Sequence, residues 1–158
     1  MRPASPRSTR QSPRSSRRRV VTLALEAAIR EYARLLLDTN LLIHEFKRQA
    51  NVLGKIPRPQ RAASSVAVWE FVHLNDGQLI SHSERMARKK WMDQQGVRSV
   101  WFSPESEKTF HSLMWHTSCP AGVADCLLAA QSVSGKWPLV TRNAKHFDDV
   151  PGMFVVLY

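Results

Sequence analysis

Arg34-Leu35-Leu36-Leu37-Asp38-Thr39-Asn40-Leu41-Leu42-Ile43 is the stretch that decides the fold. A short apolar run ends on a carboxylate, a hydroxyl and an amide, and then the apolar pattern resumes. A strand with no polar alternation is buried on both faces, as in a parallel sheet covered by helices. Such a strand delivers Asp38 to the carboxyl edge of the sheet, where open α/β sheets place their ligands. Two later stretches repeat the arrangement. Ser64-Ser65-Val66-Ala67-Val68-Trp69-Glu70 is a strand-like run leading into a helix with Glu70 in its early turns. Gly122-Val123-Ala124-Asp125-Cys126-Leu127-Leu128-Ala129-Ala130 carries Asp125 into an Ala/Leu helix. Three acids placed this way are expected to meet in order to hold a hard cation.

Outward from these stretches the sequence alternates between strand and helix patterns, which predicts a three-layer α/β/α sandwich with a mostly parallel central sheet. Strands are expected near 34–38, 63–66, 97–102, 138–141 and 153–157. Helices are expected near 41–50, 67–75, 82–94, 105–116 and 124–134, with a short turn around 144–147. Gly54 and the paired prolines Pro57 and Pro59 mark a loop, and Pro104 opens a helix where proline is tolerated.

The first 33 residues read differently from residues 34–158. Residues 1–19 are Arg, Ser, Pro and Thr with almost nothing apolar, too little to repay the entropy of ordering, so a disordered basic tail is expected. Residues 20–34 carry Val21, Leu25, Ala28, Ile29 and Tyr32 at helical spacing, a short amphipathic helix in need of a surface. Part of it is similar to the second helix of ribbon-helix-helix antitoxins. A start assigned too far upstream is the leading reading of the extension, with an RNA-binding arm as the alternative.

A chain of 158 residues, 43% hydrophobic, accommodates one domain with its own core. No apolar run approaches the ~20 residues that cross a bilayer, and the basic start lacks the apolar region of a secretory signal. A cytoplasmic protein with no membrane association is expected. Cys119 and Cys126 cannot build a disulfide framework and form no CxxC pair, so both are read as reduced and structural. The net charge of +10 suggests nucleic acid until it is divided along the chain: residues 1–34 hold nine Arg against two Glu, and the remainder is only mildly basic. The high charge is therefore weak evidence about substrate.

Four blocks together resemble a known family, the PIN-domain ribonucleases, and within it the VapC-like toxins of type II toxin–antitoxin pairs. They are Leu37-Asp38-Thr39-Asn40, Glu70 behind its serine-bearing strand, Ala124-Asp125 with its helix, and Val140-Thr141-Arg142-Asn143-Ala144-Lys145-His146-Phe147 before Val150-Pro151-Gly152. The resemblance runs from about Arg34 to Tyr158. It implies a Mg²⁺- or Mn²⁺-dependent endoribonuclease acting through activated water, with Asp38, Glu70 and Asp125 as metal ligands and catalytic acids. Hard cations take oxygen donors, which suits carboxylates. The family's fourth acidic position is filled here by Asn143, which adds no charge.

The resemblance also implies supporting roles. Thr39 and Asn40 are expected first to cap a helix and hydrogen-bond the loop, Thr141 and Ser65 to place hydroxyls beside the site, and Arg142 to clamp a phosphate. His146 stands where many relatives carry an acid, so no ligand role is transferred to it, and Asp148 or Asp149 is the candidate substitute. RNA as substrate, a cognate antitoxin whose C-terminal segment wraps the toxin, and a homodimer complete the implied partners. Trp69 and the other tryptophans are read as core, since stacking on a base needs an exposed ring. Arg85, Arg88 and Lys89 are read as a basic ridge that tracks RNA backbone or faces solvent. Two rivals remain. A non-catalytic PIN-like module that binds RNA or a partner would be marked by a missing acid, and all three are present. A haloacid-dehalogenase-type phosphohydrolase wants a second Asp two residues after the first, where this chain has Asn40.

Overall fold

The structure, a computed structural model, describes residues 20–116 and 122–158. Its centre is a six-stranded sheet built from β1 (Val21–Leu23), β2 (Leu35–Leu37), β3 (Arg61–Ser64), β6 (Arg98–Val100), β7 (Leu139–Thr141) and β8 (Phe154–Leu157). The spatial order is β1-β8-β7-β2-β3-β6, and every pairing is parallel. The helices are α1 (Leu25–Glu31), α2 (Thr39–Phe46), α3 (Ser65–His73), α4 (His82–Gln95), α5 (Pro104–His116) and α6 (Val123–Gly135). A separate two-stranded antiparallel hairpin, β4 (Leu74–Asn75) with β5 (Gln78–Leu79), joins α3 to α4.

The period of two along a strand sorts the three leucines of β2 onto opposite faces. Leu35 and Leu37 join Ala28 of α1, Leu41 and Leu42 of α2, Phe71 of α3 and Met92 of α4 in one core. Leu36 joins Leu113 of α5 and Leu128, Ala129 and Ala130 of α6 in the other. All three leucines are fully buried, each worth roughly 1.5–3 kcal/mol of removed apolar surface. The uninterrupted apolar run is the signature of a strand sandwiched on both sides, and the three-layer architecture follows from it.

The five strands and five helices expected from residue 34 onward are all present, within a few residues at each end. The loop at 54–59 takes short 3₁₀ turns at Leu53–Lys55 and Arg58–Gln60. It is pinned by the buried guanidinium of Arg61, which donates to the carbonyls of Ile56, Leu53 and Gln95. Residues 20–34 hold more than the amphipathic helix. Val21–Leu23 forms a strand that pairs with β8 in the register Val21↔Phe154, and the α1 that follows buries Ala28 completely. The expectation of disorder at 1–19 falls outside the described residues.

Three other readings are corrected. Arg88 does not lie on a basic ridge: its side chain is 1% exposed, donates to the carbonyls of Phe71 and Leu74, pairs with Glu84 at 2.6 Å, and stacks on the rings of Phe46 and Phe71. Carbonyls and aromatic faces compensate its burial, so no polarity pattern in the sequence betrays it. Trp69, Trp101 and Trp115 are not core residues but expose half or more of their surface, whereas Trp91 does pack, against Phe46 and Phe71. Cys126 is disulfide-bonded, and no free cysteine remains among the described residues. Too few cysteines for a framework is no argument against a single crosslink.

Candidate active site

Strand β2 lies between β3 and β7, and the chain runs outward from it first through β3 and β6, then through β7 and β8 on the other side. This reversal opens a crevice at the carboxyl ends of the central strands. Asp38 follows β2 there, holding the position before α2, and is almost completely buried. Glu70 reaches the crevice from the second turn of α3, whose first turn is capped by the Ser64 hydroxyl accepting from the Val66 N–H. Asp125 comes from the first turn of α6, where the helix dipole favours a negative charge. Asp38, Glu70 and Asp125, with Thr39 and Asn40, line one cleft of about 280 Å³.

Each acid is held by a neighbour. Thr141, the last residue of β7, donates from Oγ1 to Asp38 Oδ2 at 2.7 Å and accepts from the Asn143 N–H at 3.1 Å, which fixes the direction of the hydroxyl. Thr39 donates from Oγ1 to Glu70 Oε2 at 2.7 Å. His146 Nδ1 lies 3.3 Å from Asp125 Oδ2. Thr39 therefore uses its hydroxyl to orient an acid; the expected capping bond from a side chain is absent at the start of α2.

The electrostatics are those of crowded negative charge. Burial pushes the Asp38 carboxyl above its ordinary value, partly offset by the Thr141 bond and by the N–H groups of Thr39 and Asn40. Burial also raises the Asp125 carboxyl; His146 pulls it back, and the charges of Asp38 and Glu70 push it up again. The Tyr158 phenol, 2.9 Å from His44 Nδ1, is raised by burial and then by the charge of Asp38. A cation would relieve all of these at once, and hard oxygen donors are the right kind of ligand for Mg²⁺ or Mn²⁺. The donor set thus fits such an ion in kind. Among the described residues no three His, Cys, Asp or Glu side chains are gathered closely enough to hold a metal ion as they stand.

The other expected residues divide. Thr141 is buried at the site, while Arg142 and Asn143 are exposed beyond it and do not line the cleft. Ser65 opens α3 but lines a larger neighbouring groove; the cap is Ser64. Asp148 and Asp149 occupy the exposed turn before Val150. His146 is the residue missed: it lies in the short turn Ala144–Phe147 that follows β7, and its place beside Asp125 depends on the packing of that turn against α6. No local spacing signals a contact made across that distance in the chain.

Comparison with known proteins agrees with this architecture. Among solved structures, the fold is similar to DNA-bound VapBC from Salmonella typhimurium, with a TM-score of 0.66 and 16% identity over 80% of this chain and 98% of that one. It is similar also to VapBC2 from Rickettsia felis bound to a promoter DNA fragment, at 0.62 and 15% over 78% and 98%. VapBC-5 from Mycobacterium tuberculosis matches at 0.58 and 16%, over 80% and 100%. No curated protein matches the chain. The PIN domain family model matches residues 35–153, from β2 to the turn before β8, a span that contains all three acids, and the chain belongs to the PIN domain family.

Proposed function

We propose that this protein is a metal-dependent endoribonuclease, the toxin of a VapC-like toxin–antitoxin pair. The observation that carries the reading is the arrival of Asp38, Glu70 and Asp125 from three distant segments at one cleft on the carboxyl edge of the sheet. A dehalogenase-type site would need one nucleophilic Asp and a partner acid at position 40; a cage of three acids serves cation binding instead.

Asp38, Glu70 and Asp125 would hold Mg²⁺ or Mn²⁺, which when bound supplies water made basic at neutral pH and neutralises charge on the transferring phosphate. The chain's own residues prepare that chemistry. Thr39 and Thr141 each fix one carboxylate oxygen, which limits the rotamers of Glu70 and Asp38. His146 stands against Asp125, where it holds that carboxylate toward its ionised form. Arg142, exposed just past β7, would meet a substrate phosphate beyond the cleft.

The solved neighbours are toxin–antitoxin complexes. That likeness supports an antitoxin as regulatory partner; the homodimer is part of the same proposal and rests on the family resemblance alone. Among the described residues no helix is long and apolar enough to cross a membrane, in keeping with action on RNA in the cytoplasm. The test is cleavage of single-stranded RNA by the purified chain with Mg²⁺ and with EDTA. Products bearing 5′-phosphate and 3′-hydroxyl ends, formed only with the ion, are expected from attack by water. A 2′,3′-cyclic phosphate would mean attack by the neighbouring 2′-hydroxyl and would refute the mechanism.

A further inference from the structure

Beside the acidic cleft runs a second and larger depression of about 800 Å³, walled by α3, α4 and the end of β6. Val66 lines both cavities, and α3 presents Glu70 to the first and Trp69 to the second, so the two flank one helix. The Trp69 indole stacks on the ring of His73, one turn further on, at 5.4 Å between centroids and 20° between planes. His73 is itself anchored through Nδ1 to the Trp69 carbonyl at 3.0 Å. The indole is thus held as a platform while remaining 52% exposed. Trp101, just past β6, adds a second ring that is 80% exposed. On the α4 wall, Arg85 and Lys89 lie one helical turn apart, and the Nε of Arg85 is buried with no hydrogen-bond partner.

An exposed indole fixed in orientation, a second ring opposite, and cations beside them are the components of a site for single-stranded nucleic acid, in which bases stack and phosphates pair with the cations. We propose that this groove is a substrate subsite that takes unpaired nucleotides of the RNA next to the scissile bond, with Trp69 as the stacking platform and Arg85 and Lys89 as phosphate contacts. The proposal rests on the nuclease reading for the identity of the strand. Two cations against Asp93, the one acid among the described lining residues, and a position beside the acidic cleft favour RNA over an apolar protein helix as occupant. The subsite would set sequence or structural preference through stacking, because its geometry selects bases that are free to leave a helix.

The test is binding of a fluorescein-labelled single-stranded RNA of about 12 nucleotides to the full chain by anisotropy, in EDTA so that nothing is cut, at ~0.2 M salt where non-specific charge contacts are weak. Trp69→Ala should weaken binding at least about fivefold, as expected for loss of one base–aromatic stack. Trp69→Phe should stay within about threefold of the parent, and Trp101→Ala should weaken binding in the same direction as Trp69→Ala. Lys89→Ala should flatten the dependence of log Kd on log salt by about 0.7. Unchanged affinity in both Trp69→Ala and Trp101→Ala, with melting temperatures close to the parent, would overturn the proposal and leave the groove to a protein helix. Cleavage by the parent in Mg²⁺ reports separately on the nuclease reading. Tryptophan-dependent binding without cleavage would sink that reading and keep the subsite, and cleavage with tryptophan-independent binding would do the reverse.

Discussion

Replacing Asp125 with Asn should destroy cleavage and yet raise the stability of the metal-free protein. Asp38, Glu70 and Asp125 line one cleft. At an effective dielectric near 20, two like charges about 8 Å apart repel by about 2 kcal/mol. Water reaches the Asp125 side chain, which is 26% exposed, and proton uptake relieves part of the rest, so about 1 kcal/mol is the expected gain from removing its charge. Opposing this is the contact with His146, a half-exposed pair worth at most about 1 kcal/mol when the imidazole is protonated and little when it is neutral. The comparison belongs near pH 8, on the alkaline side, where ionisation of the crowded carboxyls is favoured.

The pH dependence has a definite sign. The folded Asp125 carboxyl is raised above its ordinary 3.8, first by burial, so the folded state holds its proton to higher pH than the unfolded chain. Its favourable contribution is complete below about 3.8 and is lost as pH rises through the raised folded value. The Asn variant lacks this loss, and its advantage over the parent should widen across that interval. In EDTA at pH 8 it should melt about 2–4 °C above the parent, the shift that ~1 kcal/mol gives in a domain of this size. Added Mg²⁺ should raise the parent more than the variant. Thermal melting of both proteins, with and without the ion, is the assay. An Asp125→Asn protein that melts below the parent in EDTA would show that Asp125 serves α6 as a hydrogen-bonding residue and is not strained by its neighbours.

Thr141→Val removes the hydroxyl that holds the Asp38 carboxyl down, so the acid limb of the cleavage profile should move to higher pH, with more loss at pH 6 than at pH 8; a uniform loss at all pH values would contradict this role. Arg88→Met should cost roughly 3 kcal/mol, because the carbonyls of Phe71 and Leu74 lose a buried charged donor, and urea unfolding of an otherwise active enzyme would measure it. Deleting residues 1–19 should leave the melting temperature unchanged while reducing salt-sensitive nucleic-acid binding in step with the lost arginines. Deleting residues 1–30 should destabilise by roughly 3–6 kcal/mol, since it strips β1 from β8 and takes most of α1 out of the core. Equal melting of the two truncations would refute the contribution of β1 and α1 to stability.

What the sequence revealed and what it hid divide along the range of the interactions. Leu35–Leu37 announces a strand covered on both faces because burial on two sides requires apolar residues at successive positions, a local consequence. Asp38 and Asp125 are legible because each stands where an element starts or ends, and Glu70 because it follows its serine-bearing strand into a helix. β1 was hidden because Val21, Leu25 and Ala28 also fit a helical spacing, and only the free edge of β8 decides the first part in favour of a strand. The hairpin between α3 and α4 carries an Asp76-Gly77 turn, with Asp76 at φ 48° and Gly77 at φ 77°. Its two-residue arms were too short to show alternation. Trp69 reads as core from composition alone; in the fold it lines the open groove beside the cleft that Glu70, its neighbour in sequence, lines.

Val21 pairs with Phe154, about 130 residues along the chain. Joining ends that far apart costs about 4 kcal/mol of loop-closure entropy, and it cannot begin until the final strand exists. Asp38 meets the same restriction, for its anchor Thr141 belongs to a strand made late in synthesis. As the chain is made from its N-terminus, a nascent fragment already carries Asp38 and Glu70 but has neither Asp125 nor Thr141. On the proposed nuclease reading, partial products of translation therefore lack a complete acidic cleft, and cleavage becomes possible only when the message has been read past Thr141.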